Sequence, residues 1–555
     1  MSKKLSKSLC ILVLVVFTIS MISGCVAGKD PDKGNTETTK DSKPVVNKTG
    51  LPIVNEPITL KMMVSKHRND KITWAEKPCI IKAEEETGIK FEWTEIQGSA
   101  WNEMLGVTLA SKDLPDAIIG GANLPLYADS FLPLNNLLGD YAPYAQEYFN
   151  KHPEIKFAST LPDGNLYSLP LVHITGNNAP VGYAINKVWL DNLSLDIPET
   201  TEELYNVLKA FKEKDPNKNN EQDEIPYSCF QNENTANTDS PSSINTMIWN
   251  FGLVNDGIGN PFTGTSDYVM AENGKVLFVP TDERFYDFLE YMSKLFSEGL
   301  MDRDSFVQKN QDYKAKGNKG LIGFFTYGGY EDTVVGTEYS DQYINILPMK
   351  DKNGNHTIMP TKISGDFTYS VFKITTACKY PEALLRLWDY ANSTFENRLL
   401  WSWGVENEAW EKLDDGKIAK ITSSFPEGFS TYSELRNSRS TGMSGFWIWD
   451  EDDYNMFSIT EPRDKKYLEK GESYKPYLKK DLIPLGQDEL EVTQDRATMS
   501  TEIKNYITNF VAESVIKGID RSRWETHLEN CRKLDVEKFV NDYQNYYDRA
   551  QEMLK

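Results

Sequence analysis

Apolar residues in the first folded stretch fall into short blocks of alternating length. Ile58–Val64 (ITLKMMV) reads as a strand, and Trp74–Thr87 as a helix that Gly88 stops. Ile89–Trp93 is the next strand, and a second helix runs from Trp101 to about Ala110. Leu114–Ile119 then leads into Gly120-Gly121-Ala122-Asn123. Strand, helix, strand, helix, strand at these lengths predicts parallel βαβ units. Ligands of open α/β sheets sit beyond the carboxyl ends of strands. His67, after the first strand, and Asn123, after the third, are therefore candidate contacts, although each also fits an exposed loop. Trp74, at the head of the first helix, joins them as an aromatic candidate.

Further on, Asp163-Gly164 feeds the apolar run Leu166–Val172, and a Gly/Asn-rich break (Gly176, Asn177, Asn178, Pro180) precedes a second strand, Val181–Ile185. A helix opens at Asn186-Lys187. Spacing alone fits a surface loop between two strands equally well. Thr200-Thr201-Glu202-Glu203 is a capping box, and Leu204, Val207, Leu208 and Phe211 form one apolar helical face. Residues 231–246 read as loop, and MIWNFG at Met247–Gly252 precedes a Gly/Asn-rich region. Thr281–Gly299 reads as a helix, Ser370–Thr375 as a strand, and Pro381 opens a helix to about Ser393. The last 60 or so residues are helical in pattern, and no internal repeat is visible.

Composition narrows the classes. The chain of 555 residues, 39% apolar and 12% aromatic, suffices for more than one core. A net charge of −22 argues against nucleic acid or an anionic membrane surface as partner. At the amino terminus Lys3, Lys4 and Lys7 precede an apolar run, Leu9–Ile19, too short for a membrane span and laid out like an export signal. Ile22-Ser23-Gly24-Cys25 resembles the bacterial lipobox, which implies a signal peptide at 1–24, lipid attachment at Cys25, and a protein held on the outer face of the cell membrane by acyl chains. Residues 25–55, rich in Lys, Asp, Thr and Pro, read as a flexible tether. Cys79, Cys229, Cys378 and Cys531 are widely spaced without a CxxC pair, which fits buried thiols and leaves a single disulfide open.

One loop suggests a metal. Asp215, Asn217, Asn219 and Asp223 stand at positions 1, 3, 5 and 9, the ligand rhythm of an EF-hand calcium loop. Position 6 is Asn220, a residue that tolerates the left-handed conformation, and position 12 is Pro226, so the usual closing glutamate is missing. No nucleotide-binding GxxxxGK[ST], HExxH or GxSxG occurs, and the five histidines are unpaired. Twelve tryptophans and 28 tyrosines include several flanked by Gly, Ser or Asn: Trp249, Tyr327, Phe367, Trp403, Trp447 and Trp449. Aromatic faces suit the apolar faces of sugar rings, and each of these residues equally suits a core.

The segment D-G-x-L-Y-x-L-P followed by Y-x-x-N-K-x-x-L, at Asp163–Leu190, resembles the first crossing between lobes in bacterial extracellular solute-binding proteins of family 1. The resemblance extends from about residue 55 to the end. It implies a two-lobed α/β fold of the periplasmic-binding-protein type (class II) with a hinge: lobe one from 56–175 plus about 347–398, lobe two from 176–346 plus about 399–555. Lys319–Gly329 resembles the family's strand-to-cleft turn, which makes Tyr327 a ligand contact, and Ile344–Pro348 resembles its return to lobe one. Trp401–Asn407 resembles its W-x-x-G-x-E segment and adds Trp403 and Glu406. The acidic loop is similar to that of alginate- and oligosaccharide-binding members, where the acid here at Glu224 replaces the missing one and Glu221 supplies a carbonyl to a structural calcium. The implied function is that of a monomeric, lipid-anchored carbohydrate binder that serves the permease of an ABC importer. The alternative is a surface glycosidase, whose carboxylate pair sequence does not mark; a ligand-sensing partner of a membrane kinase shares the fold.

Overall fold

The structure is a computed structural model that describes residues 46–173, 181–230, 243–255, 267–351, 353–358, 367–422, 424–459 and 461–555. Its strands, in chain order, are β1 (Ile58–Lys66), β2 (Ile89–Gln97), β3 (Ala117–Ile119), β4 (Leu169–His173), β5 (Val181–Asn186), β6 (Ile225–Tyr227), β7 (Val269–Glu272), β8 (Lys275–Phe278), β9 (Ile322–Gly328), β10 (Tyr343–Ile346), β11 (Phe367–Ile374), β12 (Trp410–Lys412), β13 (Ile418–Lys420) and β14 (Ile448–Trp449). Six of them form one sheet in the order β14-β4-β11-β3-β1-β2, and four form another, β10-β5-β9-β6. Two small hairpins, β7-β8 and β12-β13, complete the set.

The expected βαβ units are present, because β1 pairs in parallel with both β2 and β3. Their sheet is covered on both faces, as the two-residue period of a strand requires. Leu60, Met62 and Val64 enter one core with Ala117 and Ile119, whereas Met63 and Ile118 point the other way, to Trp101 and Leu105. The second sheet has its own core, in which Tyr183 and Ile185 of β5 meet Leu204, Leu208 and Phe211 from the helix Thr201–Glu213. That helix opens with the expected capping box: Thr200 Oγ1 accepts the Glu203 N–H at 3.2 Å and Glu203 Oε2 accepts the Thr200 N–H at 3.2 Å. The helices Leu490–Lys517, Arg521–Lys533 and Val536–Met553 add Ile507, Trp524 and Phe539, respectively, to the same core.

The step from Asp163 to Leu190 leaves the first sheet at β4 and enters the second at β5, so it passes between the sheets and is not a loop within one of them. Its break at 174–180 lies outside the described residues, as do Cys25, the signal segment and most of the tether. Among the described residues no helix is long and apolar enough to cross a membrane. Cys79, Cys229 and Cys531 are buried free thiols, and Cys378 is a half-buried one.

Three boundaries differ from expectation. The helix foreseen from Trp74 starts at Pro78, after a single 3₁₀ turn at Trp74–Glu76. Lys77 is extended, as the residue before a proline prefers, and Pro78 then takes the first helical position. Ile344–Ile346, expected at the return to the first lobe, is still β10 of the second sheet, and Met349 is in the second core; the chain rejoins the first sheet through β11. The third difference is larger. Residues 399–457, expected with the second lobe, pack Leu399, Trp401, Ile418, Phe446 and Phe457 into the first core, and β14 pairs with β4 at the edge of the first sheet. The helix Phe395–Ser402 follows Pro381–Asn392 after a two-residue turn, so its apolar face has the first core directly beneath it.

Candidate functional site

Strand direction decides where a ligand could be held. In the first sheet β1, β2, β3, β4 and β14 all run one way, with β11 antiparallel to β3 and β4. In the second sheet β6 and β9 are parallel, and β5 runs against β9. The crossing therefore joins the carboxyl end of β4 to the edge of the second sheet where β6 and β9 end.

A cavity of about 250 Å³ lies at that junction. The first sheet contributes His173 from the end of β4 and Trp449 from the end of β14. The segments packed beneath it contribute Trp403, Lys420, Arg436 and Phe457. From the second side come Tyr330, just past β9, and Asp464 and Tyr467 on the helix Pro462–Tyr474. That helix is fastened to the segment after β9: Lys466 pairs with Glu331, Arg463 with Asp332 at 3.2 Å, and Lys470 Nζ donates to Gly329 O at 2.9 Å. Burial lowers the Lys470 ammonium to about pH 7, and nearby Glu331 offsets part of the effect.

The cavity's first wall is aromatic. The Trp403 ring lies 4.4 Å from Phe457 and 6.2 Å from Trp449, centre to centre, and Trp449 is 5.2 Å from Phe457. Gly404 holds the turn behind Trp403 at φ +94°, with Arg439 so near that a Cβ would come within 2.8 Å of it, so this position needs glycine. The opposite wall is polar: its Asp464 pairs across the cavity with Lys420 at 3.5 Å and, through Oδ1, accepts the Tyr330 hydroxyl at 2.5 Å. Ring faces beside fixed charges and hydroxyls match the apolar faces and hydroxyl edges of sugar rings.

The other sequence candidates are dispersed. His67 stands half-buried past β1, with Nδ1 accepting the Asn69 N–H at 3.2 Å; burial first, then Arg68, holds its pKa below the ordinary value. Asn123 is exposed, its Oδ1 accepting the Leu126 N–H at 3.3 Å, and it lines a separate polar cavity of about 440 Å³ with Arg496 and Lys504. Trp74, Trp249, Tyr327 and Trp447 are core residues. Trp74 packs on Trp93 at 4.8 Å, Trp249 on Tyr183 at 5.9 Å, and Tyr327 on Phe325 at 5.8 Å, while Trp447 Nε1 donates to Gly442 O at 2.7 Å. Each is buried, and none is among the residues that line the cavity. Glu406 is exposed and bridges to Trp410 through the backbone, away from the cavity lining. The backbone of Phe367 opens β11 opposite Val172, and its side chain lies outside the described residues.

Sequence reasoning missed Arg436, Phe457, Tyr330, Asp464 and Tyr467. For Tyr330 a signal existed, since it is an aromatic residue directly after Gly328-Gly329 at a strand end.

The acidic loop folds on itself. Asp215 accepts the N–H groups of Asn219 and Asn220, each at 3.0 Å, and Asn219 Oδ1 accepts the Glu221 N–H at 2.7 Å. Asn220 is left-handed at φ +62°, as position 6 requires. Glu224 Oε1 is buried without a hydrogen-bond partner, and its pKa is raised, first by burial and then by Asp223 and Asp215. The orphaned Glu224 oxygen suits a hard cation, but among the described residues no three His, Cys, Asp or Glu side chains converge closely enough to hold a metal ion.

Residues 74–269 match the family described as bacterial extracellular solute-binding protein. Over 572 aligned residues, 99% of both chains, the protein is 26% identical to the fructooligosaccharide ABC transporter substrate-binding protein FusA of Streptococcus pneumoniae. An S. pneumoniae FusA structure, an EF-hand mutant in complex with fructo-nystose, superposes with a TM-score of 0.69 at 24% identity, over 89% of this chain and 100% of that one. The HMO-binding solute-binding protein of Bifidobacterium longum infantis gives a TM-score of 0.75 at 23% identity, over 89% and 99%. The two-lobed α/β fold and the family resemblance read from the sequence are borne out.

Proposed function

We infer that this chain is the ligand-capturing subunit of a bacterial ABC importer, and that it holds a carbohydrate, an oligosaccharide, between two lobes. The observation that carries this reading is the aromatic cavity of Trp403, Trp449 and Phe457 where the two sheets' strand ends converge. The kinship with FusA supports it. Lobe one comprises about residues 56–173 and 367–457, and lobe two about 181–346 and 462–555, each built on its own sheet and core. The ligand touches both walls, so it favours the closed arrangement by its differential contacts. A lipid on Cys25 keeps the protein, a monomer, at the outer face of the cell membrane beside its permease. No bond is made or broken in the ligand.

Calcium binds the loop through Asp215, Asn217, Asn219, Asp223 and Glu224 with the Glu221 carbonyl. Its role is structural, offsetting the mutual repulsion of the carboxylates and the burial of Glu224. The EF-hand named in the FusA structure supports this reading.

A thermal-shift screen with oligosaccharides, followed by titration calorimetry and a reducing-sugar assay, tests the function. Saturable binding without turnover is expected. Reducing ends released by the purified protein, and abolished by one carboxylate substitution, would establish the glycosidase instead.

A further inference from the structure

The first wall of the cavity is rich in hydrogen-bond donors and poor in acceptors. Arg436, on the helix Tyr432–Arg439, donates through Nε to Ser402 O at 2.8 Å. Its guanidinium carbon stands 4.6 Å from the centre of the Trp403 ring and 5.7 Å from that of Trp447. Arg436 Nη2 is buried with no hydrogen-bond partner. Among the described residues no carboxylate neutralises this charge; burial lowers the pKa, and Tyr432 alone opposes the effect. Trp403 Nε1 and the Tyr432 hydroxyl, on rings 5.9 Å apart, are likewise buried and unpartnered.

The remaining charges do not supply the missing anion. Lys420 and Asp464 are committed to each other, and Asp464 also accepts from Tyr330. Glu461, on the far side, is exposed and accepts the Thr422 hydroxyl at 3.4 Å. His67 is close enough to feel the charge of Arg436, which lowers its own pKa further. A half-buried cation without a counter-ion is costly, and removing that cost is the most direct contribution a ligand can make here.

We propose that the cavity takes a carbohydrate bearing a carboxylate, an acidic sugar whose ring lies against the Trp403 wall while its carboxylate pairs with the Arg436 guanidinium. Arg436 is then the specificity-determining contact. A guanidinium and a carboxylate make a charge-assisted hydrogen bond, which a neutral hydroxyl lacks. This assignment rests on the carbohydrate-binding reading and sharpens it to a substrate class.

The test is titration calorimetry with two probes of equal length, α-1,4-linked trigalacturonate and the neutral trisaccharide 1-kestose, on the intact protein. Wild type is expected to bind trigalacturonate at least about tenfold more tightly, the range of a charge-assisted hydrogen bond. Arg436→Gln is expected to weaken trigalacturonate roughly ten- to a hundredfold and kestose by much less. The wild-type comparison needs no variant, so it stands even if Arg436→Gln fails to fold. Equal or tighter binding of kestose by wild type overturns the assignment and leaves carbohydrate capture intact. Binding of no carbohydrate at all overturns both.

Discussion

Acidification should weaken the protein through one histidine. His527 is 1% exposed and stacks on Phe510, ring centres 3.8 Å apart and 5° from parallel. Its Nε2 lies 2.8 Å from Pro280 O, which can only accept, so that nitrogen carries the proton. Nδ1, 3.0 Å from the Tyr506 hydroxyl, then accepts from it, and the ring is neutral. Burial lowers the folded pKa to about 4, although the bond to Pro280 works slightly the other way. In the unfolded chain the ring titrates near its ordinary 6.5. As pH falls below 6.5 the unfolded state takes the proton first, so stability declines until the folded state also protonates near 4. The difference of about 2.5 units corresponds to about 3 kcal/mol in full, of which about 2 kcal/mol is lost between pH 7 and pH 5. The assay is urea unfolding at pH 7.0 and 5.0 for wild type and His527→Gln, which keeps a donor for Pro280 but cannot titrate. Subtracting the two pH differences cancels the carboxylate background. The wild type should lose about 2 kcal/mol more than the variant; equal losses would refute the reasoning.

Other consequences are as direct. Lys77 and Asp70 form an ion pair at 2.7 Å, with side chains 0% and 3% exposed, and Lys77 also donates to Asn437 and Ser440 carbonyls. Asp70→Ala leaves that ammonium buried without its anion and should cost about 3–5 kcal/mol in chemical denaturation, much of it recovered by adding Lys77→Met. Chelator should lower the melting temperature of the wild type and leave that of Asp215→Ala unchanged; a wild type indifferent to chelation rejects the calcium site. Trp403→Ala should weaken carbohydrate binding about tenfold or more by calorimetry, in a protein whose circular dichroism is retained.

The legible parts of the chain were those fixed by local chemistry. The βαβ start, the Thr200–Glu203 box and the left-handed Asn220 depend on residues within a few positions of one another, and the structure contains all three. The crossing at 163–190 was legible through resemblance, since spacing alone also fits a loop. The cavity was legible only in fragments. Trp403 and Trp449 were singled out with Trp74, Trp249, Tyr327 and Trp447, and a tryptophan's sequence neighbours do not say which core closes over it. Arg436 and Asp464 reach the same cavity from helices separated by β14, through packing that no local period encodes. Grouping 399–457 with the second lobe failed for the same reason: the turn after Asn392 reads alike whether the next helix folds back or crosses over.

The central claim is that two bodies shut over a carbohydrate lying against Trp403, and energy transfer measures it most directly. Val107 and Val307, 58% and 70% exposed, lie beside the first and second sheets and can carry the two fluorophores. Added oligosaccharide should change the transfer efficiency saturably, with the midpoint found by calorimetry, and Trp403→Ala should move that midpoint to higher concentration. Tight binding with an unmoved efficiency, or with a midpoint indifferent to Trp403→Ala, would contradict the account.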